Sequence, residues 1–165
     1  METRKLTTSA LLIALGTVAG HMIYIPVGIA KCFPVQHTIN VLSAVLLGPW
    51  YGVANAFVIS LLRNILGTGS LLAFPGSMIG ALLSGLLFQK YGKKIWALAG
   101  EIFGTGIIGG ILAFPISRFL LGKEFTAFFF IIPFLASTIG GSLIGYVLLS
   151  VMEKNKSMKT IINRR

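Results

Sequence analysis

The chain has 165 residues, 55% hydrophobic and 11% charged, with a mean hydropathy of +0.89; a soluble domain carries about 25% charged residues, so that class is excluded and an integral membrane protein is indicated. The formal charge of +10 comes from 14 Lys and Arg against 4 Asp and Glu, but the cations cluster near both termini and at Lys90, Lys93 and Lys94, as cytoplasmic flanks do. No basic face is interleaved with exposed aromatics, which excludes nucleic-acid binding, and Cys32 as the single cysteine excludes an internal disulfide or a Cys-x-x-Cys pair.

At roughly 20 apolar residues per membrane crossing, the sequence predicts an all-α membrane protein: a six-transmembrane-helix bundle forming a single domain over residues 1–165, with a basic tail at 153–165. The first helix is predicted over 6–25, behind Arg4 and Lys5. Its start has the basic flank and apolar run of a signal peptide, but Val18-Ala19-Gly20 is a poor cleavage site and five more apolar segments follow. At helical spacing Ala10, Ala14, Thr17 and His21 form one stripe of mostly small side chains, with Gly16 and Gly20 on the far side. Such faces let helices pack closely where lipid gives no hydrophobic drive. One stripe can serve the bundle and the other a partner protein, or both can be internal.

The second helix, 35–47, is short and opens within KCFPVQHTIN, Lys31 to Asn40, which gathers Gln36, His37 and Asn40. GPWYG, Gly48 to Gly52, is a tight turn with interfacial aromatics, leading into the third helix, 51–66, which ends in Arg63 and Asn64. The fourth, 71–89, places Ser70, Phe74, Ser77, Ala81 and Ser84 at helical spacing beside Gly76, Gly80 and Gly85, a face directed into the bundle. The fifth, 95–117, carries Glu101 about two turns inside; a carboxylate there is expected to be protonated or paired, with Asn55 as the candidate partner. The sixth is predicted over 126–152.

With the N-terminus inside, ten of the 14 Lys and Arg fall in cytoplasmic segments and four outside, so both termini are expected in the cytoplasm. Residues 31–37, 63–70 and 118–124 then meet at the outer end.

Several chemical signals fail on context. Gly104 to Gly109 reads G-x-G-x-x-G, with Glu124 about 20 residues beyond its start, but no strand precedes it and the run is apolar; its glycines are expected to serve helix packing. No G-x-x-x-x-G-K-[ST] occurs, so this chain is not expected to hydrolyse ATP. His21, Cys32 and His37 are too irregularly spaced for a metal site, and no cofactor is expected. Nor is an enzyme: Glu101 is expected far from both histidines, so a Ser-His-acid set would have to cross the bilayer.

Polar groups in a membrane helix are costly when they face lipid, so those at the outer end should turn inward or to water. Gln36, His37, Asn40, Arg63 and Asn64, with the hydroxyls of Ser70 and Ser77 and the rings of Phe33, Phe74, Phe130 and Phe134, predict a small outward-facing pocket with apolar walls and few polar anchors. The alternative is that these groups only hydrate loop ends.

FPVQHTINVLSAVLLGPWYG (Phe33 to Gly52), SLLRNILGTGSLLAFPGSMIGALLSGLL (Ser60 to Leu87) and Ala10-x-x-x-Ala14 together resemble the S components, the substrate-binding membrane subunits, of energy-coupling factor vitamin transporters, and most of all their ThiW group. The resemblance covers nearly the whole chain. It implies a multi-pass protein of the cell membrane that captures hydroxyethylthiazole, the thiazole precursor of thiamine, on the outside. It also implies docking through Ala10 and Ala14 onto a transmembrane coupling subunit driven by two cytoplasmic ATPases, and a cap over the pocket formed by residues 31–36. The same machinery for the pyrimidine precursor or thiamine, a stand-alone secondary carrier and a membrane-embedded enzyme are the alternatives.

Overall fold

The computed structural model of the chain describes residues 2–27, 30–122, 126 and 128–163. Lys123, Glu124, Arg164 and Arg165 lie outside the described residues, as do the side chains of His21 and Lys31. The elements in order are α1 (Glu2–Met22), β1 (Ile25–Val27), β2 (Ala30–Cys32), α2 (Pro34–Leu47), α3 (Pro49–Ile65), α4 (Ala73–Tyr91), α5 (Lys94–Leu120), α6 (Ile131–Met152) and α7 (Lys156–Asn163).

Proline and glycine set most boundaries. Gly48 takes φ 99°, open to glycine, and Pro49 starts α3, where a missing N–H costs nothing. Gly92 ends α4 in the left-handed conformation that its neighbours would resist. The predicted first helix, 6–25, stops earlier because Pro26 cannot continue it; the chain turns instead into an antiparallel hairpin that pairs Ile25 with Cys32. The predicted sixth helix, 126–152, begins only at Ile131, after a turn closed by Ile131 N–H on Phe128 O at 3.2 Å. The tail is not plain chain: α7 forms there, with Ile162 buried in the core near α2.

α2 is the central staff. All of its 14 residues except Val35 are buried, and α1, α3, α4, α5 and α6 all pack against it. Around it the polarity is inverted relative to a soluble protein: Asn40, Asn55, Glu101, Thr138 and Ser142 are buried, while Leu11, Val18, Phe103, Ile132 and Val147 are exposed. By length and composition, Lys94–Leu120 and Ile131–Met152 can each cross a membrane alone, and Pro34–Leu47 is apolar but short.

Within α5, residues Ile102–Gly109 form a π-helix, the wider coil that closes hydrogen bonds five residues apart. This is the G-x-G-x-x-G run, and its glycines do pack helices. A Cβ on Gly104 would come within 2.6 Å of Gly80 Cα, and one on Gly109 within 2.5 Å of Gly76 Cα, whereas Gly106 turns to Leu135 of α6. Thr105 ties the same seam by donating to Gly76 O at 2.9 Å.

Candidate substrate pocket

A helix of 14 residues is about 21 Å long and one of 27 about 40 Å. His37 of α2, ten residues from Leu47, meets Glu101 of α5, seven residues from Lys94, so the two helices end at a similar depth there. The shortfall of α2 leaves space at the other end, beneath the hairpin. There lies a cavity of about 510 Å³, inside the range of about 300–1,000 Å³ usual for small-molecule sites.

Aromatic rings supply much of its wall. Phe130 packs edge-on against Phe129 and Phe134, with centroids 5.2 and 6.2 Å apart, and Tyr24 lies 6.3 Å from Phe33. The hairpin is fastened beside them: Cys32 Sγ donates to Pro133 O at 3.1 Å, and Phe33 N–H to Ser137 Oγ at 2.9 Å. Burial holds the Cys32 thiol above its ordinary pKa, so it stays a neutral donor.

Arg63 sits at the cavity wall, 2% exposed. Its Nη1 donates to Gln36 Oε1 and its Nη2 to Thr68 O at 3.1 Å, and the guanidinium lies 4.0 Å above the Phe33 ring. Among the described residues no carboxylate lies within 4.0 Å of it. The cation is thus held by neutral partners and a ring face, an attraction of about 2 kcal/mol when desolvated. It joins α3, α2, the α3–α4 loop and Phe33. Lysine keeps the charge but not this fork. Arg63→Lys is therefore expected to lower the thermal midpoint of the purified protein in detergent, by an amount equivalent to about 1–3 kcal/mol for the acceptors left unsatisfied; an unchanged midpoint would show that the fork holds nothing.

A second polar chain runs below. Gln36 Nε2 donates to Ser60 Oγ at 3.0 Å, Ser60 and Ser77 hydroxyls lie 3.2 Å apart, and Ser77 donates to Ala73 O at 2.8 Å. Beneath them the sequence expectation for Glu101 is corrected. It is not far from His37: Glu101 Oε1 lies 2.9 Å from His37 Nδ1 and accepts from Asn40 Nδ2 at 3.0 Å. Because α2 is short, His37 stands only ten residues, ~15 Å, from its Leu47 end, and Glu101 seven residues, ~10 Å, from the start of α5. Nor does Glu101 pair with Asn55, which binds Ser9 and, at 3.0 Å, Ser43.

Of the expected pocket residues, Phe33, Gln36, His37, Arg63, Ser70, Ser77, Phe130 and Phe134 line the cavity. Three do not. Asn40 is fully buried under the floor, Asn64 turns back onto Ser60 O at 2.8 Å, and Phe74 packs against Phe57 on the outer side of α3, centroids 5.6 Å apart. Cys32, Thr68, Thr105, Ser117, Phe129 and Ser137 also line it without having been expected. Isolated hydroxyls among apolar residues gave no pattern to find. Among the described residues no group of His, Cys, Asp and Glu is placed to hold a metal ion.

Buried amides, hydroxyls and a carboxylate, an exposed apolar shell and a solute-sized cavity mark a helical membrane protein with room for a small molecule. The model of the ThiW family, described as thiamine-precursor transporter protein, matches residues 6–155, and the chain belongs to this family. Comparison with curated proteins and with solved structures found no match.

Proposed function

We propose that the chain captures hydroxyethylthiazole at the outer face of the cell membrane, as the substrate-binding subunit of an energy-coupling factor importer. The cavity carries this reading: it combines ring faces with few polar anchors, at the end of the bundle that the distribution of Lys and Arg assigns to the exterior. In it α1–α6 are the spans of a multi-pass protein with both termini in the cytoplasm. Energy comes from a transmembrane coupling subunit and two ATPases, consistent with the lack of a phosphate-binding loop in this sequence.

The two stripes of α1 support a division of labour. Gly16 and Gly20 face Ile59 and Arg63 inside the bundle, and Thr17 is buried with them rather than joining the alanine stripe. Ala10 and Ala14 are exposed beside Leu11 and Leu15, and this is the face proposed to meet the coupling subunit.

The volume of about 510 Å³ exceeds one small ring with a two-carbon arm, which favours thiamine as the second reading. Calorimetry on the purified protein against the thiazole, the pyrimidine precursor and thiamine decides between them. Saturable binding of the thiazole is expected; binding of thiamine without the thiazole would replace the substrate. Uptake by the chain alone in sealed vesicles would instead make it a stand-alone carrier.

A further inference from the structure

Glu101 plays no part in the wall of the cavity, yet it lies directly under it, fully buried. Among the described residues the partners of Asn40 Nδ2 are acceptors, Ser77 O at 3.3 Å and Glu101 Oε1 at 3.0 Å, and Thr105 Oγ1 lies 3.1 Å from the same Oε1, so Oε1 is working as an acceptor. The proton of the 2.9 Å contact between Oε1 and His37 then belongs on His37 Nδ1. Glu101 Oε2 has no partner among the described residues and is closed off by α4, where a Cβ on Gly80 would come within 2.7 Å of it. This leaves His37 Nε2, without a protein partner among the described residues, on a ring that lines the cavity. A neutral imidazole with its proton on Nδ1 presents a lone pair at Nε2, which an imidazolium would not.

The other polar groups there differ. Gln36 is engaged at both ends, and Ser77 and Cys32 spend their protons on Ala73 O and Pro133 O. Ser117 Oγ and Arg63 Nε lack partners among the described residues, but both can donate. Among the described side chains that line the cavity, His37 Nε2 is a free group that only accepts.

We propose that His37 Nε2 accepts a hydrogen bond from the hydroxyl of the ligand, and that Glu101 is the positioning residue that fixes the tautomer allowing it. The inference rests on the cavity being a thiazole site. It makes the pocket selective for a hydroxyl donor at its floor, because a ligand without one leaves a buried lone pair unmatched.

The test is calorimetry with hydroxyethylthiazole and its 2-fluoroethyl analogue, in which fluorine is near the size of hydroxyl but cannot donate. The wild type is expected to bind the fluoro compound at least about 10-fold more weakly. Glu101→Gln keeps a carbonyl for Nδ1–H and retains that ratio; Glu101→Ala frees the ring and brings the ratio towards one while the fluoro compound still binds. If Glu101 were merely structural, Glu101→Ala would weaken both compounds together with the ratio intact, and that result overturns the proposal. Equal binding of both compounds by the wild type overturns it too but leaves the thiazole reading standing, whereas no binding of either overturns both. Independently of any variant folding, nitrogen NMR of the wild type should show His37 Nε2 as the unprotonated nitrogen; a protonated Nε2 refutes the assignment.

Discussion

Gly104→Leu is expected to abolish the folded protein, and Gly104→Ala to lower its thermal midpoint in detergent clearly. A Cβ at this position would meet Gly80 Cα at 2.6 Å, Gly80 N at 2.8 Å and Ile79 C at 3.0 Å. All three are backbone atoms, so no rotamer change relieves the clash and α4 must move off α5. Overpacking costs about 1–3 kcal/mol where side chains can yield; here the alanine variant should lie at or above the top of that range. Gly140→Ala is the control, since its Cβ would sit 3.8 Å from Pro34 Cβ, an ordinary contact. The damage should also reach the floor of the pocket, because Glu101 stands on α5 three residues before Gly104 and its partners His37 and Asn40 stand on α2. Equal midpoints for Gly104→Ala and Gly140→Ala would mean that the seam between α4 and α5 is not close-packed.

Ala10→Leu combined with Ala14→Leu should remove transport in whole cells while sparing calorimetric binding of the thiazole. Both alanines are exposed, on the face of α1 opposite the one that buries Ser9, Leu12 and Gly16. Two leucines there add bulk to the face proposed to meet a partner helix, where van der Waals packing rather than the hydrophobic effect would drive association. The readout is co-purification of the coupling subunit and ATPases with the tagged chain, expected to drop at least about tenfold, the equivalent of ~1.4 kcal/mol. Intact assembly with both leucines would move the docking surface elsewhere.

Much of the bundle was readable because apolar runs are punctuated: GPWYG separates α2 from α3, and Gly92 separates α4 from α5. The polar residues near the outer end announced a site because lipid penalises them wherever they lack a purpose. What sequence supplied was depth, not direction around the helix axis. Asn64 and Phe74 stand at the right depth and turn away, whereas Ser117 and Ser137 turn in and left no pattern. Glu101 was misplaced because the shortness expected of the second helix, 35–47, was not carried through to the depth of His37, which stands low on it. The hairpin was missed because three-residue strands beside Pro26 carry no alternation long enough to detect.

The wide coil at Ile102–Gly109 explains how Gly104 and Gly109, five residues apart, both address α4. In an α-helix each residue advances about 100°, so positions five apart would diverge by roughly 140°; the looser winding brings them back towards one side, opposite Gly80 and Gly76, which are four apart. The segment is in effect a vernier, matching a five-residue step on one helix to a four-residue step on its neighbour. Removing one residue from it would leave the length of α5 nearly intact yet turn everything beyond like a key in a lock, swinging Ser117 out of the chamber.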